Sequence, residues 1–232
     1  MSEAPREAIV LVGGLGTRLR PVVSDVPKPM APVAGRPFLA WVLDHLHDNA
    51  VDRIVLAAGY RAECLVECFG DAWRGVELRY SIEAEPLGTG GAVRLAMAET
   101  RGHGVHVLNG DTFLRYSLPE MERGACVAGG DLSMALAHVD DVARYGAVEL
   151  EGARVTGFSE KGRSGPGYIN AGSYYLGPRA IARLPGAERY SFETEVLRPM
   201  AAEGRVAAVT DTRDFIDIGI PEDYRRAQQV FA

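Results

Sequence analysis

The chain has 232 residues, of which 47% are hydrophobic and 24% charged, and its formal net charge is −6. This composition is typical of a globular protein in water, and the net negative charge excludes a general electrostatic attraction to nucleic acid. No apolar run approaches the roughly 18 residues of a transmembrane helix, and the first run is too short for a signal peptide, so we expect a cytoplasmic protein without membrane contact. The three cysteines have no metal-ligand spacing, which indicates reduced thiols.

Four short apolar runs in the first half of the chain predict β-strands, and longer segments with helical periodicity separate them. The runs are AIVLV (8–12), RIVLAAG (53–59), VELRYSI (76–82) and VHVLNGD (105–111). The predicted helices cover 37–50, 61–70 and 88–100. Because the strands are continuously apolar and alternate with helices, we expect a mostly parallel sheet with helices on both faces.

The second half of the chain has a different pattern, in which glycine turns separate closely spaced strand-like stretches. These stretches are 131–139, 146–161 and 167–177, and they predict hairpins that extend the sheet. The last segment, 215–232, is typical of a short strand followed by a helix that begins with proline. The predicted fold is therefore α/β, a Rossmann-like, doubly wound, mixed but mostly parallel sheet, in a single domain over 1–232.

A glycine-rich loop, VGGLGTRLRPVVSDVPKPM (12–30), follows the first strand. Its early glycines are Gly13, Gly14 and Gly16. Such glycines let the backbone approach an anion closely, and Arg18 and Lys28 add positive charge that can bind phosphate. The loop lacks the Lys-Ser/Thr end of a Walker A motif, and Leu19 replaces the third glycine of a dinucleotide fingerprint. The alternative is a tight turn with solvated basic residues, but the two prolines beside Lys28 restrict its backbone.

Two aspartates are candidates for binding Mg²⁺. Asp111 follows a buried strand in VHVLNGD, and Asp217 lies between apolar neighbours in FIDIG. Two carboxylates that converge on one Mg²⁺ would suit a metal that keeps several waters and bridges substrate phosphates. Each residue alone is equally compatible with a turn, so their convergence remains an expectation.

Two further stretches could bind a nucleotide base and a hydroxylated ligand. EPLGTGGA (85–92) begins a helix and could receive an anion or a flat base against bare backbone, and the Glu83 and Glu85 carboxylates could accept hydrogen bonds from guanine. In FSEKGRSGPGYINAGSYY (158–175), Lys161 could reach a second phosphate, and Asn170 could line a pocket for hydroxyl groups. The alternatives are solvated glutamates and a solvated charged hairpin.

Several stretches occur together, in one order, over nearly the whole chain. They are GGLGTRLRP (13–21), PKPM (27–30), EPLGTGGA (85–92), NGD (109–111), FSEK (158–161), NAG.Y (170–174) and FIDIGIPEDY (215–224). This set resembles the sugar-1-phosphate nucleotidylyltransferase family. VVSDVPKPMAPVAGRPFL (22–39), together with EPLGTGGA, is most similar to the short bacterial D-glycero-D-manno-heptose 1-phosphate guanylyltransferases. Mannose-1-phosphate guanylyltransferases and N-acetylmuramate 1-phosphate uridylyltransferases share much of it.

The resemblance implies an enzyme of the nucleotide-diphospho-sugar transferase fold that uses Mg²⁺. It implies transfer of GMP from GTP to a sugar 1-phosphate, first of all D-glycero-α-D-manno-heptose 1-phosphate, with release of pyrophosphate. The product would be a nucleotide sugar for cell-surface (capsule) polysaccharide synthesis. Alternatives are a mannose-1-phosphate guanylyltransferase, an N-acetylmuramate-1-phosphate uridylyltransferase and a non-catalytic nucleotide-sugar sensor. A homodimer is compatible with the chain length.

The resemblance also implies a role for individual residues, with nucleotide binding in about 1–125 and sugar-phosphate binding in about 126–232. Implied catalytic residues are Arg18 on the leaving pyrophosphate, Lys28 on the α-phosphate, and Asp111. Implied nucleotide-binding residues are Leu11, Gly13, Gly14, Gly16, Thr17, Arg18, Lys28, Glu83, Pro86, Gly88 and Thr89. Implied sugar-phosphate-binding residues are Asn109, Gly110, Glu160, Lys161, Asn170 and Gly172. Implied metal ligands are Asp111 and Asp217.

Overall fold

The computed structural model describes residues 5–14, 26–59, 61–129, 131–159 and 164–232. Its strands are β1 Glu7–Leu11, β2 Pro32–Val33, β3 Arg36–Pro37, β4 Arg53–Ala58, β5 Ala72–Trp73, β6 Val76–Ile82, β7 Val105–Asn109, β8 Thr112–Arg115, β9 Leu132–Val139, β10 Val148–Glu151, β11 Arg154–Phe158, β12 Gly167–Leu176, β13 Val206–Val209 and β14 Arg213–Asp217. Its α-helices are α1 Phe38–Asp48, α2 Ala62–Phe69, α3 Gly88–Ala96, α4 Leu118–Val127, α5 Pro178–Ile181, α6 Arg198–Ala202 and α7 Pro221–Val230. Shorter elements are the 3₁₀ helices Lys28–Met30 and Met97–Glu99 and the π-helix Glu193–Leu197.

Ten strands form one sheet, in the order β10-β11-β13-β9-β12-β7-β1-β4-β6-β5. The central strands β7, β1, β4 and β6 pair in parallel, whereas β12 pairs antiparallel with both β7 and β9. Taken together, the pairings place seven of the ten strands in one direction and reverse β5, β11 and β12. The sheet is therefore mixed, and most of its strands run in one direction. In the second half of the chain β10 and β11 form a hairpin, as the sequence predicts.

Helices cover both faces of the sheet because the buried strands have apolar side chains on both sides. In β1, Ala8 and Val10 belong to a core that includes side chains of α1 and α2. Ile9, between them, belongs to the opposite core, with side chains of α3 and α6. A continuously apolar strand between two helical layers is the arrangement of a doubly wound α/β fold. In the part of the chain that the structure describes, no helix is both long and apolar enough to cross a membrane.

The parallel central strands end at one edge of the sheet, and this edge carries the polar and glycine-rich turns. Gly13 and Gly14 follow β1, Glu83 follows β6, and the turn 109–111 follows β7. Because β12 runs in the opposite direction, its early residue Asn170 lies at the same edge. Ligands of open α/β sheets bind at the carboxyl ends of the strands, so this edge is where a functional site is expected.

Candidate active site

Lys28 lies between two carboxylates that come from distant parts of the chain. Its Nζ donates a hydrogen bond to Oδ2 of Asp111 at 2.5 Å and lies 3.7 Å from Oδ1 of Asp217. The Lys28 side chain is only 12% exposed. It starts from a short 3₁₀ helix that begins directly after Pro27 and continues with Pro29, and the fixed φ of proline limits the movement of this backbone. The predicted cation and both predicted metal ligands therefore meet in one cluster.

A small two-stranded sheet brings the two aspartates together. Asp111 lies in the turn between β7 and β8, and Asp217 is the last residue of β14, paired with Thr112 at the start of β8. The backbone N–H of Ile218 donates to the Asp111 carbonyl at 3.1 Å. The N–H of Gly219 donates to Oδ1 of Asp217 at 2.7 Å and orients this carboxylate. Strand pairing and one turn thus decide where both carboxylates point.

The electrostatics of this pair favour a bound cation. The pKa of the Asp217 carboxyl is raised above its usual value, first by burial and then by the negative charge of Asp111, although the ammonium of Lys28 acts in the opposite direction. Carboxylate oxygens are the ligands that Mg²⁺ prefers, and this ion commonly uses one or two protein carboxylates together with waters and phosphate oxygens. Among the described residues no group of three or more His, Cys, Asp or Glu could hold a metal ion. The donor set therefore fits Mg²⁺ bound with substrate better than a metal enclosed by protein.

Glu83 connects the loop after β1 with the start of α3. Its Oε1 occupies space that side chains at Gly13 or Gly59 would need, since a Cβ on either glycine would lie 2.9 Å from this oxygen. Its Oε2 accepts a hydrogen bond from the backbone N–H of Leu87 at 3.1 Å. Glu83 is therefore held by the protein, whereas the neighbouring Glu85 is exposed as a solvated glutamate would be.

The glycines at the start of α3 pack against a later segment of the chain. A Cβ on Gly90 would lie 2.1 Å from Cε2 of Tyr190, and a Cβ on Gly88 would lie 2.6 Å from the Tyr190 carbonyl oxygen. The segment is held by hydrogen bonds from Gly90 N to Tyr190 O at 3.0 Å and from Phe192 N to Thr89 Oγ1 at 3.0 Å. On this side the bare backbone packs against protein, which is a reason for these glycines that the sequence does not reveal.

The start of β12 forms the opposite side of the site, beside the end of β7. Pairing of β12 with β9 shifts register between Asn170 and Ser173, and Gly172 there has a φ of +68°. A Cβ on Gly172 would lie 2.4 Å from Nδ2 of Asn109. Gly172 thus allows the Asn109 amide to lie directly against β12. Next to it, Gly110 N donates to the carbonyl of Leu11 at 2.9 Å and joins the ends of β7 and β1.

The family model described as "Nucleotidyl transferase" matches residues 7–232. The chain belongs to this family. The match includes both aspartates, Lys28 and the whole ten-stranded sheet, so the family resemblance expected from the motifs is confirmed.

Individual relatives match this nucleotidyl transferase over nearly its full length. The D-glycero-alpha-D-manno-heptose 1-phosphate guanylyltransferase of Aneurinibacillus thermoaerophilus is 41% identical over 96% of this chain and 97% of its own length. The protein of the same name from Campylobacter jejuni is 38% identical over 94% of this chain and 96% of its own. The crystal structure of HddC from Yersinia pseudotuberculosis complexed with GMP-PN is 37% identical, with a TM-score of 0.86 over 98% of this chain and 100% of that one. This structural match confirms the predicted fold class.

The structure brings most of the described candidate residues of the nucleotidyl transferase to one edge of the sheet. Grouped there are Leu11, Gly13, Gly14, Lys28, Glu83, Asn109, Gly110, Asp111, Asn170, Gly172 and Asp217. Pro86, Gly88 and Thr89 are exposed at the beginning of α3. Gly16, Thr17, Arg18, Glu160 and Lys161 lie outside the described residues. The ligand contacts expected of all these residues remain predictions.

Two residues of the nucleotidyl transferase that sequence reasoning missed lie on the segment that covers α3. Tyr190 packs on Gly90, and Glu193 has its Oε1 3.5 Å from Nδ2 of Asn170. Glu193 begins a π-helix, which is rare and often marks a functional site. The short SFETE stretch that contains it resembles any exposed charged turn, so the sequence offered no usable signal.

Proposed function

We propose that this chain transfers GMP from GTP to D-glycero-α-D-manno-heptose 1-phosphate and releases pyrophosphate. The observation that carries the reaction type is the cluster in which Lys28 lies between Asp111 and Asp217 at the ligand-binding edge of the sheet. The choice of base and sugar is supported by the two heptose 1-phosphate guanylyltransferases that match the chain nearly end to end. The GMP-PN complex of the similar HddC supports guanine.

The proposed reaction is a direct displacement, in which an oxygen of the sugar phosphate attacks the α-phosphorus and pyrophosphate leaves in line. The attacking phosphate is already an anion, so a strong general base is not needed. The two buried histidines agree with this, because burial lowers the pKa of His45 to about 4 and also lowers that of His106, and neither lies among the grouped site residues. The main barrier is repulsion between two polyanions, which positioned cations reduce.

Lys28 is the cation for which the structure gives a position. Its ammonium lies at the edge where the phosphates are expected, on a side chain that is only 12% exposed. Its restricted backbone limits the reorganisation needed during the reaction. We propose that Lys28 contacts the α-phosphate, Arg18 the leaving pyrophosphate and Lys161 the sugar phosphate. In this proposal residues up to about 125 bind the nucleotide, and the remainder bind the sugar phosphate.

We propose that Asp111 and Asp217 hold Mg²⁺ together with substrate phosphate oxygens. Bound there, the ion would neutralise charge on the nucleotide phosphates. Support comes from the donor chemistry, since two carboxylates share one cation and Gly219 N–H orients the more buried one. The remaining acceptor positions are free for a metal that keeps its waters.

The test is a substrate panel that follows pyrophosphate release. GTP, UTP, CTP, ATP and dTTP are each mixed with the 1-phosphates of D-glycero-α-D-manno-heptose, mannose, glucose and N-acetylmuramate, with Mg²⁺ or with EDTA. We expect the highest kcat/KM for GTP with the heptose 1-phosphate, and no turnover in EDTA. Nucleotide binding without release from any pair would instead identify a non-catalytic sensor. A maximum with mannose 1-phosphate, or with UTP and N-acetylmuramate 1-phosphate, would overturn the proposed substrate in favour of that alternative.

A further inference from the structure

Four polar side chains form a group on the β12 side of the site, which we term the sugar-side cluster: Asn109, Asn170, Tyr174 and Glu193. Asn109 lies against Gly172, close to the start of β12. Asn170 and Tyr174 belong to β12 itself, and Glu193 reaches them from the π-helix. Three separate parts of the fold therefore place amide, phenol and carboxylate groups within reach of one another, next to the turn that carries Asp111.

The hydrogen bonds within this cluster define which way the Asn170 amide points. The N–H of Gly172 donates to Oδ1 of Asn170 at 2.9 Å, which identifies this atom as the oxygen. The Tyr174 hydroxyl lies 3.0 Å from the same oxygen and 2.8 Å from Nδ2. The Nδ2 donor is consequently turned towards Glu193, with 3.5 Å to its Oε1.

The backbone of Glu193 is held in place although its side chain is exposed. The preceding Phe192 is 2% exposed, packs on the Tyr174 ring at a centroid distance of 5.0 Å, and donates its N–H to Thr89. Val196 and Leu197, later in the π-helix, are buried in the core. The segment thus connects the beginning of α3 with the start of β12, and Glu193 lies at the junction.

The Glu193 carboxylate retains most of its capacity to accept hydrogen bonds. Two carboxylate oxygens offer about four acceptor positions, and the contact with Asn170 uses at most one of them. In the described part of the chain no lysine or arginine forms an ion pair with Glu193. Burial raises the pKa of the Tyr174 phenol, and the charge of Glu193 raises it further, so this carboxylate faces the cluster.

We propose that Glu193 accepts hydrogen bonds from hydroxyl groups of the sugar 1-phosphate and determines which sugar is used. A carboxylate that only accepts, beside amides that also donate, is chemically matched to a ring bearing several hydroxyl donors. The cluster also lies next to Asp111, so a sugar bound here would have its phosphate near the metal ligands. The identity of the sugar in this inference rests on the proposed function. The role of Glu193 as a hydrogen-bond acceptor rests on the geometry of the sugar-side cluster.

The experiment compares wild type with Glu193→Ala and Glu193→Gln, using GTP and the preferred sugar 1-phosphate. Because hydrogen bonds to a charged group contribute strongly, we expect kcat/KM for the sugar to fall by about 10- to 100-fold in the alanine variant. The glutamine variant retains one acceptor oxygen and should lose less. The KM for GTP should remain within about twofold of wild type, which a general structural defect would not produce.

Analogues of the sugar 1-phosphate that each lack one hydroxyl separate direct contact from indirect effects. Removing the hydroxyl that Glu193 binds should reduce kcat/KM in wild type and have little further effect in Glu193→Ala, because the interaction is already lost. The matched control is Glu195→Gln. Glu195 is exposed on the same π-helix, but its charge acts on Tyr190 rather than on the cluster, so wild-type sugar kinetics are expected.

An unchanged kcat/KM for the sugar 1-phosphate in Glu193→Ala would overturn the proposal. The same loss for every deoxy analogue in wild type and variant would overturn it as well. Failure of the proposed function has a different signature. If wild type prefers another sugar 1-phosphate, the analogues of that sugar are used. If wild type shows no turnover, calorimetric binding of the same sugar 1-phosphates to wild type and Glu193→Ala decides the role of Glu193.

Discussion

Substitution of Gly90 by alanine tests whether the glycines of EPLGTGGA serve the packing of α3 against the segment around Tyr190. In the structure a Cβ at Gly90 would lie 2.1, 2.3 and 2.9 Å from three atoms of the Tyr190 ring. Tyr190 is only 4% exposed, so its ring has little room to move. Ordinary contact begins near 3.4 Å, and the ring and helix would have to separate by about 1 Å.

The expected cost follows from two opposing effects. Overpacking of a close contact typically destabilises a protein by about 1–3 kcal/mol. Replacing glycine by alanine within a helix contributes up to about 1 kcal/mol in the other direction. The free energy of unfolding should therefore decrease by roughly 0.5–2 kcal/mol, which for a chain of this length corresponds to a Tm lower by about 1–8 °C.

The measurement is thermal and urea unfolding of Gly90→Ala beside the control Gly186→Ala. Gly186 is exposed, a Cβ added there would meet no atom within 4 Å, and its φ is outside the left-handed region. Its replacement should therefore leave stability unchanged or increase it by up to about 1 kcal/mol. If Gly90→Ala were as stable as the control, the Tyr190 ring would not pack on Gly90, and the packing explanation for these glycines would be refuted.

Two other predictions concern the active site and the pH dependence of folding. Lys28→Met and Asp111→Asn should each lower the rate of pyrophosphate release by at least about 100-fold. The circular dichroism spectrum of each variant should match that of the wild type. A wild-type rate in either variant would show that the substituted residue does not belong to the active site. Burial lowers the pKa of His45 from 6.5 to about 4, so between these pH values the unfolded state binds the additional proton and stability falls as pH decreases. Urea titrations of His45→Asn should show a decrease in the free energy of unfolding between pH 7 and 4 that is smaller than in wild type by up to about 3 kcal/mol. If the stability of the variant depended on pH as that of wild type does, the lowered pKa of His45 would not be the cause.

The elements of the first half of the chain could be predicted closely because their signals are local. The runs at 8–12, 53–59 and 76–82 correspond to β1, β4 and β6 within one or two residues, since continuous apolar side chains favour buried parallel strands. The helix predicted at 61–70 is α2, which ends before Gly70, whose φ is +63°. Such boundaries depend on neighbouring residues alone and are therefore visible in the sequence.

The candidate site was only partly predictable, because its geometry depends on contacts between distant segments. The sequence by itself determined the α/β class, the family, the proline-restricted Lys28 and the two aspartates as candidates. Only the tertiary structure decided that both carboxylates meet at Lys28, that Tyr190 covers Gly90, and that Glu193 faces Asn170. The physical reason is that periodicity and turn chemistry act over a few residues, whereas the pairing of β14 with β8 and the packing of 188–193 on α3 form only when the whole chain folds.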